Sequence, residues 1–232
     1  MAEIAHGRGS GAGVLDDERA RATAVVRRQE HFEDLDKQTH ASHFGMWVFL
    51  ASEVLFFGVL FTLYAGYRAA FPEEFAQAAH HSDLMLGTLN TYILLFASFL
   101  VAWAVGAIKG DRPRLASRLL WGAALLGMVF LAIKLTEYRD HFAHGIYPGH
   151  YYVFEELPGR GPMVFFTLYY VTTGLHFLHV AGGVVLLAWI GRRARRGDFD
   201  SVWHTPLELS GMYWHFVDMV WLFVWPCFYL LR

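Results

Sequence analysis

Two stretches of this chain, Met85 to Ile108 and Met163 to Gly191, contain no Asp, Glu, Lys or Arg. Each exceeds the ~20 apolar residues that carry a helix across the hydrocarbon core of a bilayer. Three more apolar segments flank them. The chain therefore reads as all-α, an integral membrane bundle of five transmembrane helices at about 43–67, 84–109, 115–138, 162–191 and 206–231. Composition agrees: 55% of residues are hydrophobic and 17% charged, against roughly 45–50% and about 25% in soluble domains.

Several function classes fall away. A net charge of −2 over 232 residues gives no global field for nucleic acid. The single cysteine, Cys227, rules out an internal disulfide or a four-cysteine cluster and reads as a small apolar packing residue. There is no glycine-rich phosphate loop. No signal-peptide core precedes residue 43. Residues 1–42, with a glycine-rich start at Gly7–Gly13 and mixed charges from Asp16 to Lys37, are expected to form a soluble, flexible or loosely helical tail before the membrane domain at 43–232.

Loop charge sets the orientation. The connections after the second and fourth helices carry Lys109, Arg112, Arg114, Arg118 and Arg192, Arg193, Arg195, Arg196; those after the first and third carry little beyond Arg68, Arg139 and Arg160. By the positive-inside rule the N-terminus is cytoplasmic and the C-terminus outside. No internal repeat supports a transporter plan.

Polar groups inside the spans carry the functional interest, because burying them in lipid is costly. Glu53 lies about ten residues into the first helix, ~15 Å deep at 1.5 Å per residue. It can be a neutral acid bonded to a facing helix, part of a proton pathway, or a lipid or quinone contact. His176 and His179, three apart on the fourth helix beside Thr172 and Thr173, permit a haem or copper ligand in principle. No second helix repeats the pair, so interhelical hydrogen bonds are the simpler reading, as they are for Asn90 with Thr88 and Thr91. Trp214, Asp218, Trp221 and Trp225 share one face of the fifth helix, and His215 is three residues from Asp218. Lys134 and Glu137 read as a local ion pair at the membrane interface. Glu53 is expected within one hydrogen bond, or one water, of His176, His179 or Asp218.

Taken together, Ser52-Glu-Val-Leu-Phe-Phe57, Leu89-Asn-Thr91, Lys109-Gly-Asp-Arg112, Glu137-Tyr138, Thr173-Gly-Leu-His176 through His179-Val180 and Tyr213-Trp-His-Phe-Val-Asp-Met-Val-Trp-Leu-Phe223 closely resemble subunit III of haem-copper cytochrome c oxidases. The resemblance covers about residues 40–232 and is to the short, five-helix bacterial form rather than the seven-helix one, whose two extra helices frame a lipid-filled cleft. Phe177 stands where the family commonly has Gly.

The resemblance implies a non-catalytic core subunit of a proton-pumping terminal oxidase in a bacterial plasma membrane. Its partners would be oxidase subunits I and II and phospholipid; it would hold no metal or cofactor, with haem and copper in the partner subunits. No catalytic residue is expected. Glu53, His176, His179, His215 and Asp218 would be proton-related or structural, and Arg193 and Arg196 would contact lipid headgroups. Nearby readings are a quinol-oxidase subunit III or the homologue that accompanies nitric oxide reductases. A b-type cytochrome-like redox protein is the reading from another class.

Overall fold

The computed structural model describes residues 35–231. Among these the chain is all-helical. Helix α1 runs Leu35–Ala70, α2 Pro72–His80, α3 Leu84–Lys109, α4 Pro113–Ala143, α5 Arg160–Arg196 and α6 Thr205–Trp225. A single 3-10 turn, Gly149–Tyr151, interrupts the α4–α5 loop, and a π-helical turn, Pro226–Leu230, follows α6. Four helices (α1, α3, α4 and α5) are long and apolar enough to cross a membrane. Helix α6 falls short of that test because its bulk is Trp, Tyr, His and Asp rather than aliphatic.

The helix ends follow local chemistry. Asp83 caps α3 by accepting from the amides of Met85 and Leu86 at 2.8 and 3.0 Å. Helices α2 and α4 begin at a proline and α6 has Pro206 as its second residue, positions where the missing N–H has no intrahelical partner to lose. Gly197 closes α5 at φ 81°, a left-handed cap that suits glycine. Pro226 has no amide to donate into α6, and there the α-helix gives way to the π turn.

Two units divide at Trp47 and Val48. The described part of the first, residues 35–47, is helical and belongs to α1. The tail expected over 1–42 thus lies outside the described residues up to 34, while 35–42 are helical.

In the second unit, α4 packs closely along both α3 and α5, and α6 lies against α3 and α5. Small residues permit this approach: Ala97, Ala104, Ala116, Ala123 and Ala124 are buried. A Cβ on Gly127 would come within 2.6 Å of Val184 and 2.8 Å of the Trp214 ring, so α4 depends on glycine there. Trp214 and Trp221 fill the centre at 1% and 0% exposure. The aromatic face expected on α6 is therefore the core face.

Helix α1, by contrast, meets the bundle through long side chains. Phe57 packs on His179, Phe61 on Phe223, and Tyr64 on Phe75 and Phe228. Its other face shows Val54, Leu55 and Val59 more than half exposed, an apolar surface suited to lipid rather than water. The short helix α2, absent from the sequence reading, tucks Phe75, Ala78 and Ala79 against α5.

Candidate functional site

Glu53 and His179 form the one interhelical pair the sequence reading sought. Glu53 Oε2 lies 3.0 Å from His179 Nε2, bridging α1 and α5. His179 Nδ1 is 2.8 Å from the Leu175 carbonyl. A carbonyl only accepts, so Nδ1 carries a hydrogen. Nε2 and the carboxyl then share a single further proton, either as neutral acid donating to imidazole or as imidazolium donating to carboxylate. Both side chains are about four-fifths covered within the chain. The Tyr213 hydroxyl donates to the His179 carbonyl at 3.0 Å and fixes that turn of α5 from α6.

Asp218 does not join this pair. Its neighbour is the Ser98 hydroxyl on α3, which also lies 2.6 Å from His215 Nδ1. His215 and Asp218 thus turn to one serine on another helix instead of to each other. Asp218 Oδ1 is buried with no partner among the described residues.

His176 departs from the expectation of a satisfied hydrogen bond. It is fully buried, and neither ring nitrogen has a partner among the described residues. What holds it is stacking: the ring lies on Trp221 at 5.2 Å and 29°, and meets Phe130 edge-on at 5.8 Å. Asn90 is likewise fully buried with both amide atoms unpartnered. The interhelical bond expected of it is made next door, where Trp221 Nε1 donates to Thr91 Oγ1 at 3.0 Å. Offsets of three on a helix put His176 and His179 near one another in sequence terms, yet only His179 reaches α1.

Lys134 and Glu137 do pair, at 3.0 Å, and the pair lies inside the protein rather than on its surface. Their side chains are 1% and 2% exposed. Lys134 Nζ also donates to the hydroxyls of Tyr169 at 2.9 Å and Tyr229 at 2.7 Å. Both tyrosines donate in turn to Glu137 Oε1, at 2.7 and 2.6 Å. All three ammonium donors are used, and four rings (Tyr138, Tyr169, Trp221 and Tyr229) surround the charge within 5.6 Å. What was not expected is the company: an isolated buried ion pair is unfavourable, but two converging hydroxyls complete its hydrogen bonding. Tyr169 and Tyr229 carried no sequence signal of this, being apolar-run residues on α5 and on the π turn.

At the basic end, Arg193 Nε donates to Asp198 Oδ2 at 2.9 Å, and its guanidinium lies over the rings of Trp189, Phe199 and Trp203. Arg196 is exposed. Among the described residues no three His, Cys, Asp or Glu side chains gather as a metal cage.

Comparison with known proteins gives a consistent result. The family described as Cytochrome c oxidase subunit III matches residues 30–231. The chain is 34% identical over 188 residues to a cytochrome c oxidase subunit 3 of Thermostichus vulcanus, covering 81% of this chain and 86% of that one. With a cytochrome c oxidase subunit 3 of Synechocystis sp. identity is 31% over 189 residues, covering 81% and 75%. A protein of Aeropyrum pernix described as heme-copper oxidase subunit I+III is 30% identical over 193 residues, 81% of this chain and 22% of its own length.

Proposed function

The chain belongs to the cytochrome c oxidase subunit III family, and we propose that it serves as the non-catalytic third subunit of a proton-pumping terminal oxidase in a bacterial plasma membrane. Electrons from cytochrome c reduce oxygen at haem and copper centres carried by subunits I and II. This chain supports proton uptake and the integrity of the complex, and holds phospholipid. Joining of subunits I and III in the named Aeropyrum protein supports a direct seat against subunit I.

The membrane arrangement proposed is five crossings, with a soluble tail over 1–42, the N-terminus cytoplasmic and the C-terminus outside. Helix α6 has 21 residues, about 30 Å at 1.5 Å each, enough for a crossing. Alternation is supported by the basic connections meeting at one end: Arg114 and Arg118 of α4 line one cleft with Arg195 of α5. Lys109, at the end of α3, pairs with Glu208, at the start of α6, at 2.8 Å.

The observation that carries the functional reading is the Glu53–His179 pair. It holds one exchangeable proton between α1 and α5 at the depth of the membrane. Asp218 and His215, both turned to Ser98, form a second polar station on the α3–α6 seam. His176 is assigned a packing role. The test is turnover of the purified oxidase with reduced cytochrome c, and with quinol, for wild type, Glu53→Gln, Glu53→Ala and a strain lacking this chain. Glu53→Gln keeps the hydrogen bond but cannot release a proton. Sustained oxygen reduction should decline in Glu53→Gln and in the deletion strain. Unchanged turnover in the deletion strain would remove the subunit reading, and unchanged turnover in Glu53→Gln alone would remove the proton role. Preference for quinol would move the complex to the quinol-oxidase branch.

A further inference from the structure

Arg114, Ser117, Arg118 and Trp121 occupy offsets of three, four and seven on α4, so they share one face of its first two turns. That face and Arg195, in the last turn of α5, line a cleft of about 740 Å³. The floor is tight. Ser117 Oγ donates to the Gly191 carbonyl at 2.7 Å, and a Cβ on Gly191 would touch Leu120 and Trp121 at 3.3 and 3.4 Å. The two helices therefore hold the backbones that carry the three arginines close together.

None of the three guanidinium groups has a hydrogen-bond or ion-pair partner among the described residues, although other charges nearby do. Arg193 is taken by Asp198, and Lys109 by Glu208. The acid that lines the neighbouring cavity, Asp111, accepts from the Ser201 amide at 3.1 Å. An orientation signal requires only that arginines lie on the correct side of the membrane. It does not require three of them, drawn from two helices, around one cleft without a counter-charge. Like charges so placed repel, and a bound anion reverses the sign of that interaction.

We propose that this cleft binds the phosphate of an anionic phospholipid headgroup. The proposal rests on the membrane orientation given above, which puts the cleft at the cytoplasmic surface, where anionic lipid is drawn to basic pockets between helices. Guanidinium forks match phosphate oxygens two at a time. The source is a lipid rather than free phosphate because an acyl path continues from the cleft. Trp121, Leu125 and Met128 follow at offsets of four and seven along the same face of α4 and are 40%, 57% and 48% exposed. An exposed indole directly below a basic cluster is the arrangement found at the headgroup level of a bilayer. The site is separate from Arg193 and Arg196, neither of which lines the cleft.

The test uses the assembled oxidase, delipidated in detergent and then placed in nanodiscs of phosphatidylcholine with or without phosphatidylglycerol. Native mass spectrometry counts tightly held lipid on wild type, Arg118→Gln/Arg195→Gln and Arg193→Gln. These arginines are exposed or half-exposed, so the variants should fold. Wild type and Arg193→Gln should retain one phosphatidylglycerol that the double variant holds on the order of tenfold more weakly. Inorganic phosphate at millimolar concentration should not compete. Equal retention by wild type and the double variant overturns the proposal. So does full displacement by inorganic phosphate, which would make the ligand a free anion, or a complex in which a neighbouring subunit's carboxylate fills the cleft. The same spectra show whether this chain is stoichiometric in the oxidase, so failure of the family-based reading registers separately from failure of the lipid site.

Discussion

Replacing Lys134 by Met tests whether the buried cluster of Lys134, Glu137, Tyr169 and Tyr229 behaves as one unit. The change removes three donated hydrogen bonds, at 3.0, 2.9 and 2.7 Å, while Met fills much of the same volume. Glu137 keeps two tyrosine donors but loses its counter-ion in a setting where it is 3% exposed. Removing one partner of a buried ion pair costs about 3–5 kcal/mol. For a chain of this size each kcal/mol lowers the transition by roughly 2–4 °C, so a fall on the order of 10 °C follows. Glu137→Gln should cost a similar amount, leaving an uncompensated ammonium. The double variant, Lys134→Met/Glu137→Gln, leaves no net buried charge, and Tyr169 and Tyr229 remain 3.4 Å apart to bond each other. It should be less destabilised than the sum of the singles by at least about 2 kcal/mol. The assay is the temperature at which Cys227, the chain's only cysteine, becomes alkylated in the assembled oxidase, read by mass spectrometry of its peptide. Additive shifts, or a Lys134→Met shift within 2 °C of wild type, would refute the reasoning.

Other changes report on the remaining sites. Gly127→Ala inserts a methyl between Val184 and Trp214 and should destabilise by about 1–3 kcal/mol, while Gly58→Ala, with nothing within 4 Å, should stay within about 0.5 kcal/mol of wild type in the same alkylation assay. His176→Phe preserves the stack on Trp221 and loses no protein hydrogen bond, so it should cost less than about 1.5 kcal/mol and leave the haem spectrum of the oxidase unchanged. A lost haem band there would reinstate the histidine as a ligand. Ser98→Ala removes the shared hydroxyl beside His215 and Asp218 and should cost about 1–3 kcal/mol; a stability equal to wild type would show that the two side chains are satisfied elsewhere.

The helices themselves were legible because lipid enforces long apolar runs, and the uncharged stretches lie within α3 and α5. Helix ends were less so. Helix α5 continues through Arg192 to Arg196, and α1 already includes residues 35–42, because helical propagation does not stop where the hydrocarbon does. Helix α2 is hard to see in the sequence, since nine residues with two glutamates carry a weak apolar pattern. Within the site, the Glu53–His179 contact was anticipated as one of three because each ionisable group in lipid needs a partner. The tyrosines around Lys134 were not, since Glu137 lies 32 residues from Tyr169 and 92 from Tyr229, and nothing local marks either. His176 inverted the usual expectation: aromatic stacking, invisible in a spacing argument, took the place of a hydrogen bond.

The π turn after α6 ties together helices that lie far apart in sequence. Tyr229 completes the Lys134 cluster, the Tyr64 hydroxyl donates to the Cys227 carbonyl, and Arg68 reaches the Leu231 carbonyl at 2.8 Å. The end of α1 and the last third of α4 are thus fastened by the same short turn. Without it, Lys134 and Glu137 would each lose a tyrosine hydroxyl where an incompletely bonded charge is costly. A chain cut before Pro226 is therefore left with its most expensive charges unsheltered, and is expected to be a substrate for proteolysis.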